Sequence, residues 1–139
     1  MIRPIDALLP HQPPAILLDG LREITEDGCL ATFRVPEGSR YLDGSGRLPA
    51  WMGLEMMAQA ASAFSGHRNL LAGRPVRVGY LLGARQFSVT EPAFPVGTEL
   101  EIDVRVIFLD EDGPSAFRCE LRRSGERVAS ATLKAIEAP

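Results

Sequence analysis

Histidine and cysteine are scarce in this 139-residue chain: two of each, His11 and His67, Cys29 and Cys119. The cysteines do not follow a metal-binding spacing. Both fall at apolar positions of alternating segments, so buried free thiols are expected. The cytoplasm is the simplest compartment for such thiols. No run of about 18 apolar residues exists, so no transmembrane helix is expected. The opening stretch is too short in apolar residues, and broken by Pro10, to read as a signal peptide. Acidic residues are absent from Met56 through Thr90, where Arg68, Arg74, Arg77 and Arg85 all lie. The net charge of −3 nevertheless argues against a nucleic-acid binder. A basic stretch in an acidic chain suits a phosphate-bearing or acidic partner; scattered surface arginines are the bland alternative.

The length points to one domain spanning residues 1–139. Residues 5–9 read as a short helix, and Ala15 to Leu18 as a buried strand. Asp27-Gly28 reads as a hairpin turn. Cys29, Ala31, Phe33 and Val35 then alternate with Leu30, Thr32 and Arg34 at the strand period. Residues 36–48 read as a loop. From Pro49 to about Gly66 the chain is apolar or small on every side, which describes a helix buried all round. Beyond it, residues 76–90 are strand-like, with Gly79 and Gly83 as bulge or close-approach points. Pro95-Val96-Gly97, Asp110 to Pro114 and Ser124-Gly125 are turns. Leu100, Ile102, Val104 and Val106 alternate with Glu99, Glu101, Asp103 and Arg105. Phe117, Cys119 and Leu121 line one face, as do Ala129, Ala131, Leu133 and Ala135. The expected fold is α+β: a curved antiparallel sheet wrapped around one long apolar helix, with an exposed edge inviting dimerisation.

Within that helix only Glu55 and Gln59 are polar between Ala50 and Ala61. Four residues apart, they stack on one line. A lone carboxylate among apolar residues costs several kcal/mol unless paired, neutralised or hydrated. Its pKa should rise, which suits a general acid working near neutral pH. A structural Glu, hydrogen-bonded by Gln59 or by backbone, fits the same run.

Three local motifs and the order of elements resemble the hot-dog-fold 3-hydroxyacyl-acyl-carrier-protein dehydratases of fatty-acid synthesis. Leu9-Pro10-His11-Gln12-Pro13-Pro14 with Leu17-Leu18-Asp19 is similar to that family's N-terminal signature. Pro49 through Gln59 resembles its helix start, with Glu55, Ala58 and Gln59 at the Glu-x-x-Ala-Gln core. Phe94 to Leu100 resembles its later turn, with one extra residue. Pro49-Ala50-Trp51 and Gly79 to Arg85 look closer to a subgroup, the predicted dehydratases of aryl-polyene-type pigment clusters.

The resemblance implies elimination of water from a 3-hydroxyacyl thioester, delivered by acyl carrier protein or coenzyme A. Glu55 falls at the family's acid position. Gly44 aligns with a glycine whose N–H serves the thioester oxygen, helped by N–H groups at the helix start. Trp51, Met52 and Gln59 would lie along the substrate, with Met56, Met57 and Phe64 further along an acyl tunnel; methionines at this spacing also suit plain core. The family's catalytic His falls at Tyr41, a poor base at a reference pKa near ~10. His67 follows Glu55 by ~18 Å of helix, too far to share a small site. His11 matches a family His that is not its usual base; orienting the fold or the dimer is the favoured reading, and it becomes a base only if folding or dimerisation brings it to Glu55. Asp43, in the same loop as Tyr41, is a further candidate, although a loop Asp is usually solvated or capping. Two other functions fit: a non-catalytic dehydratase-like subunit in a homodimer or heterodimer with a related dehydratase, and an acyl thioesterase. No metal or redox cofactor is implied.

Overall fold

The computed structural model describes residues 4–9, 18–110 and 113–137. The strand expected at Ala15 to Leu18 and the His11 motif therefore lie largely outside the described residues.

A one-turn helix, α1 (Ile5–Leu8), leads to strands β1 (Gly20–Thr25) and β2 (Gly28–Arg34). A short strand β3 (Arg47–Pro49) precedes the long helix α2 (Met52–Leu71). Strands β4 (Gly79–Val89), β5 (Ala93–Pro95), β6 (Glu99–Phe108), β7 (Ser115–Arg123) and β8 (Glu126–Glu137) follow. Six of them form one antiparallel sheet in the order β1-β2-β6-β7-β8-β4, while β3 and β5 pair as a small separate ribbon. The α+β layout expected from the sequence is the one observed. Among the described residues no helix is long and apolar enough to cross a membrane.

The strand period places the core. Cys29, Val104, Cys119 and Ala131 stand in one row across β2, β6, β7 and β8, and Ala31, Ile102, Leu121 and Ala129 form the next. All eight are buried. Met52, Met56, Met57, Ala60 and Phe64 of α2 join the same cluster. Phe64 meets Phe117 edge to face, with centroids 6.2 Å apart. Such aromatic packing contributes beyond the area it buries.

Several local expectations shift. Pro49 does not open the helix: it closes β3 opposite Ala93, and the Ala50 N–H donates to the Pro92 carbonyl. That bond keeps the chain extended, so α2 starts at Met52. Gly66 does not end the helix either. A Cβ there would strike the backbone carbonyl of Leu8, so the glycine lets α1 lie against α2. The helix instead runs on to Leu71, and Gly73 follows with φ 75°, a conformation that favours glycine. The first hairpin turns on Glu26-Asp27, one residue earlier than expected; Gly28 opens β2, where a Cβ would meet the Val104 carbonyl. Gly83 marks a bulge in β4, as expected, and a second bulge falls between Arg85 and Ser88.

Asp103 is a further departure. Alternation places it on the polar face of β6, yet it is only 6% exposed. Arg105 Nε lies 2.9 Å away and Arg122 Nη1 3.4 Å away. The two guanidiniums compensate a carboxylate taken out of water.

Candidate active site

The helix α2 is covered by the sheet along one side only. Met56, Met57, Ala60 and Phe64 are fully buried, whereas Trp51, Leu54, Glu55, Ala58, Ser62 and Ser65 retain solvent contact on the other side. This corrects the expectation of a helix buried all round. Glu55 is exposed in the single chain. The desolvation expected of it is therefore absent in the single chain.

Gln59, by contrast, is wholly buried, and its Nε2 donates to Glu55 Oε1 at 3.2 Å. Helical spacing sets this contact, because residues four apart lie on one line. The amide leaves one carboxylate oxygen of Glu55 held and the other directed by it. A side chain so fixed can donate a proton as the carboxylic acid, or accept one as the carboxylate, at a defined position.

Glu55 and Gln59 open onto a groove of about 550 Å³ between α2 and the strands β7, β8 and β4. The helix contributes a polar stripe: Glu55, Gln59, Ser62, Ser65 and Asn69, spaced four, three, three and four residues apart. The sheet contributes an apolar wall that includes Phe117, Leu133, Ala135, Ile136 and Leu81. The far end carries Arg68, Arg74 and Arg77. A long, partly apolar ligand fits such a trough with one end at Glu55.

The other residues anticipated from the sequence are placed elsewhere. Met52, Met56, Met57 and Phe64 belong to the core and do not line the groove. Their spacing serves packing against β2, β6 and β7. Trp51, 66% exposed, stands one turn before Glu55 outside the groove. Tyr41 is half-buried against the main core, with the Arg40 guanidinium 5.2 Å over its ring and donating to its hydroxyl at 3.2 Å. It does not line the groove. His67 is half-buried on α2, also outside the groove. His11 lies outside the described residues.

Gly44 sits exposed in a turn organised by Asp43. Asp43 Oδ1 accepts from the Ser45 hydroxyl at 2.5 Å, the Ser45 N–H at 2.8 Å and the Arg47 N–H at 3.2 Å. The Ser45 hydroxyl first, then the Arg47 and Ser45 amides, hold its carboxyl below the usual range. A carboxylate so satisfied is a weak base, and its place in the fold is that of a loop cap. At the helix start, the Gly53 and Leu54 N–H groups already donate to the Ala50 and Trp51 carbonyls at 2.9 and 3.1 Å. Those two donors are therefore spent within the chain.

The sequence reading missed Ser62, Ser65 and Asn69 as groove residues. The signal was present: they continue the Glu55–Gln59 line at helical spacing. The groove's apolar wall was legible only as strand core.

Comparison with known proteins places this geometry. The dehydratase heterocomplex ApeI:P from Xenorhabdus doucetiae matches with a TM-score of 0.95 at 27% identity, covering 100% of this chain and 93% of that one. The PaaI protein of the Escherichia coli phenylacetic acid degradation operon matches at 0.64 and 14% identity, over 83% of this chain and 79% of that one. A hypothetical thioesterase from Streptococcus pneumoniae TIGR4 matches at 0.64 and 12% identity, over 85% and 88%. The last two likenesses concern the fold, which is the hot-dog fold. No curated protein matches the chain. The profile of the ApeP-like family, described as ApeP dehydratase, matches residues 3–139. This hot-dog chain, with its carboxylate at the mouth of a half-apolar groove, belongs to the ApeP-like dehydratases.

Proposed function

We propose that the chain takes part in eliminating water from a 3-hydroxyacyl thioester carried by an acyl carrier protein, in polyene-type biosynthesis. One observation carries this reading. Glu55 stands at the mouth of the groove with one oxygen held by the buried Gln59.

The chemistry assigns Glu55 the acid's part. A base removes a proton from C2, and the electron pair forms the C2–C3 double bond. The C3–O bond breaks, and Glu55 gives its proton to the departing hydroxide, which leaves as water. The carboxylate that results takes up the C2 proton, by way of the base, to restore the starting state. The groove accepts the chain of the thioester along its apolar wall.

The base is a separate matter. Among the described residues lining the groove there is no histidine. We assign the deficit to assembly: the site is completed by Tyr41, by His11 or by a group from a second, related dehydratase. The edge strand β4, with Tyr80, Leu81 and Leu82 about half exposed, offers the pairing surface. The ApeI:P structure is itself a heterocomplex of dehydratases, which supports a mixed dimer. A partner covering the open side of α2 would also take Glu55 out of water.

The missing histidine also favours a second reading, in which this chain binds the acyl carrier and the partner performs the chemistry. One assay separates the two. The chain, alone and mixed with a related dehydratase, is incubated with 3-hydroxyacyl carrier protein and the products are weighed by mass spectrometry. Loss of one water that disappears with Glu55→Gln supports the acid role. Dehydration by the mixture that survives Glu55→Gln assigns the chemistry to the partner. Release of free acid would mean a thioesterase and sink both.

A further inference from the structure

The end of the groove remote from Glu55 has a composition that dehydration does not call for. Arg68, Arg74 and Arg77 converge there, together with Asn69, Glu137 and Asp110. Glu137 accepts from the Asn69 amide at 3.2 and 3.3 Å. None of the three arginines forms an ion pair among the described residues. Among the described residues there, three guanidiniums stand against two carboxylates.

Arg74 is the sharpest of the three. Its backbone N–H donates to the Asn69 carbonyl at 2.7 Å, folding the chain back over the end of α2. Its Nε is buried and, among the described residues, has no hydrogen-bond partner. Buried donors in native proteins are paired almost without exception, and this unmet one shows that the described residues do not saturate the Arg74 guanidinium, whose half-buried side chain lines the groove. The arginine fork is suited to oxygens, which it can bind two at a time.

Distance then limits what the acceptor belongs to. Asn69 lies 14 residues beyond Glu55, about 21 Å along α2 at ~1.5 Å per residue. Arg74 is tied to the level of Asn69. The intervening wall, Phe117, Leu133, Ala135 and Ile136, is apolar.

We propose that Arg74, supported by Arg68 and Arg77, anchors an oxygen-bearing, preferably anionic, group about 20 Å along the ligand from its reacting carbon. The groove thus reads both ends of its ligand: Glu55 meets the thioester end and the arginines meet a polar terminus. Two parts of an acyl thioester could bring such oxygens, the far end of the acyl chain or the phosphate of the pantetheine arm. The proposal rests on the reading of Glu55 as the reacting end only for its direction along the groove.

Binding to S-alkyl pantetheine thioethers tests it, because these can neither dehydrate nor hydrolyse. Four ligands are compared: an alkyl chain ending in methyl or in carboxylate, each with and without the 4′-phosphate. Each is titrated calorimetrically into wild type, Arg74→Met and Arg74→Lys. At least one oxygen-bearing group should tighten binding to wild type by roughly tenfold, as one charge-assisted contact provides. Arg74→Met should erase that preference, and Arg74→Lys should restore part of it. Preference for the terminal carboxylate assigns the site to the acyl chain; preference for the phosphate assigns it to the carrier arm. Equal binding of all four ligands to wild type, or a preference untouched by Arg74→Met, overturns the proposal. If the Glu55 assignment fails, turnover is lost as an assay but this preference persists, so the two failures are distinguishable.

Discussion

Gln59 is completely buried, yet its amide reaches the exposed Glu55 at 3.2 Å one turn away. A buried donor thereby holds an exposed carboxylate, which ties the orientation of the acid to the packing of the core. Gln59→Leu should keep the apolar contacts and release Glu55. Losing one hydrogen bond to a charged group should lower kcat roughly tenfold with KM little changed. Steady-state kinetics in the assembled dehydratase would check this split. An increase in KM with kcat intact would show Gln59 to be a substrate contact instead.

The loop holding Tyr41 and Gly44 depends on Asp43. Its carboxyl is held below the usual range by Ser45 and Arg47. The folded pKa is lowered, so the stabilisation is present above the unfolded value of ~3.9 and is lost as pH falls through the folded value. Protection of the Ser45 and Arg47 amides, taken relative to their intrinsic exchange rates at each pH, should be present at pH 5 and fall below pH ~4. In Asp43→Ala it should be low at both. If activity in Asp43→Asn falls while the loop amides stay protected, Asp43 has a chemical part after all.

The seam between α1 and α2 rests on Gly66. Gly66→Ala would set a Cβ against the Leu8 carbonyl, and backbone cannot swing aside as a side chain can. A loss of about 1–3 kcal/mol is expected from such overpacking. Gly53→Ala presses only on the Leu121 side-chain tip and should be milder. Denaturant melts of the two variants would rank them, and the reverse order would place the critical contact under β7.

Cys29 and Cys119 are buried free thiols flanking Val104 in one row of the sheet. Burial first, then Asp103 for Cys29 and Cys29 itself for Cys119, pushes both thiols up to about 12. A raised folded pKa means stability that is full below the unfolded value of ~8.5 and declines as pH climbs toward 12. The slope should approach about 1.4 kcal/mol per pH unit for each thiol. Urea melts between pH 7 and 10 should show this decline in wild type and not in a Cys29→Ala/Cys119→Ala pair. At pH 8 a thiol reagent should label neither cysteine until the chain unfolds.

The sequence determined the long helix and which sides of the long strands are apolar, but not the β3–β5 ribbon, which falls in stretches that read as loop and turn. Alternation fixed the inner rows of β2, β6, β7 and β8, and the four-residue spacing of Glu55 and Gln59 already set their hydrogen bond. Three motifs sufficed to point to the family. Tertiary structure alone decided which apolar or polar side is covered, and by what. The apolar run of α2 read as a helix buried all round, yet the sheet covers one side and leaves Glu55 in water. Asp103 alternates as a surface residue, yet Arg105 and Arg122 close over it. Gly66 looked like a helix end because the approach of Leu8 is a long-range event with no local signature. The arginines beyond Gly66 are scattered in sequence, and only the return of the chain over Asn69 gathers three of them at one end of the groove. Periodicity is a property of one segment, whereas burial, pairing and a site are properties of segments that meet.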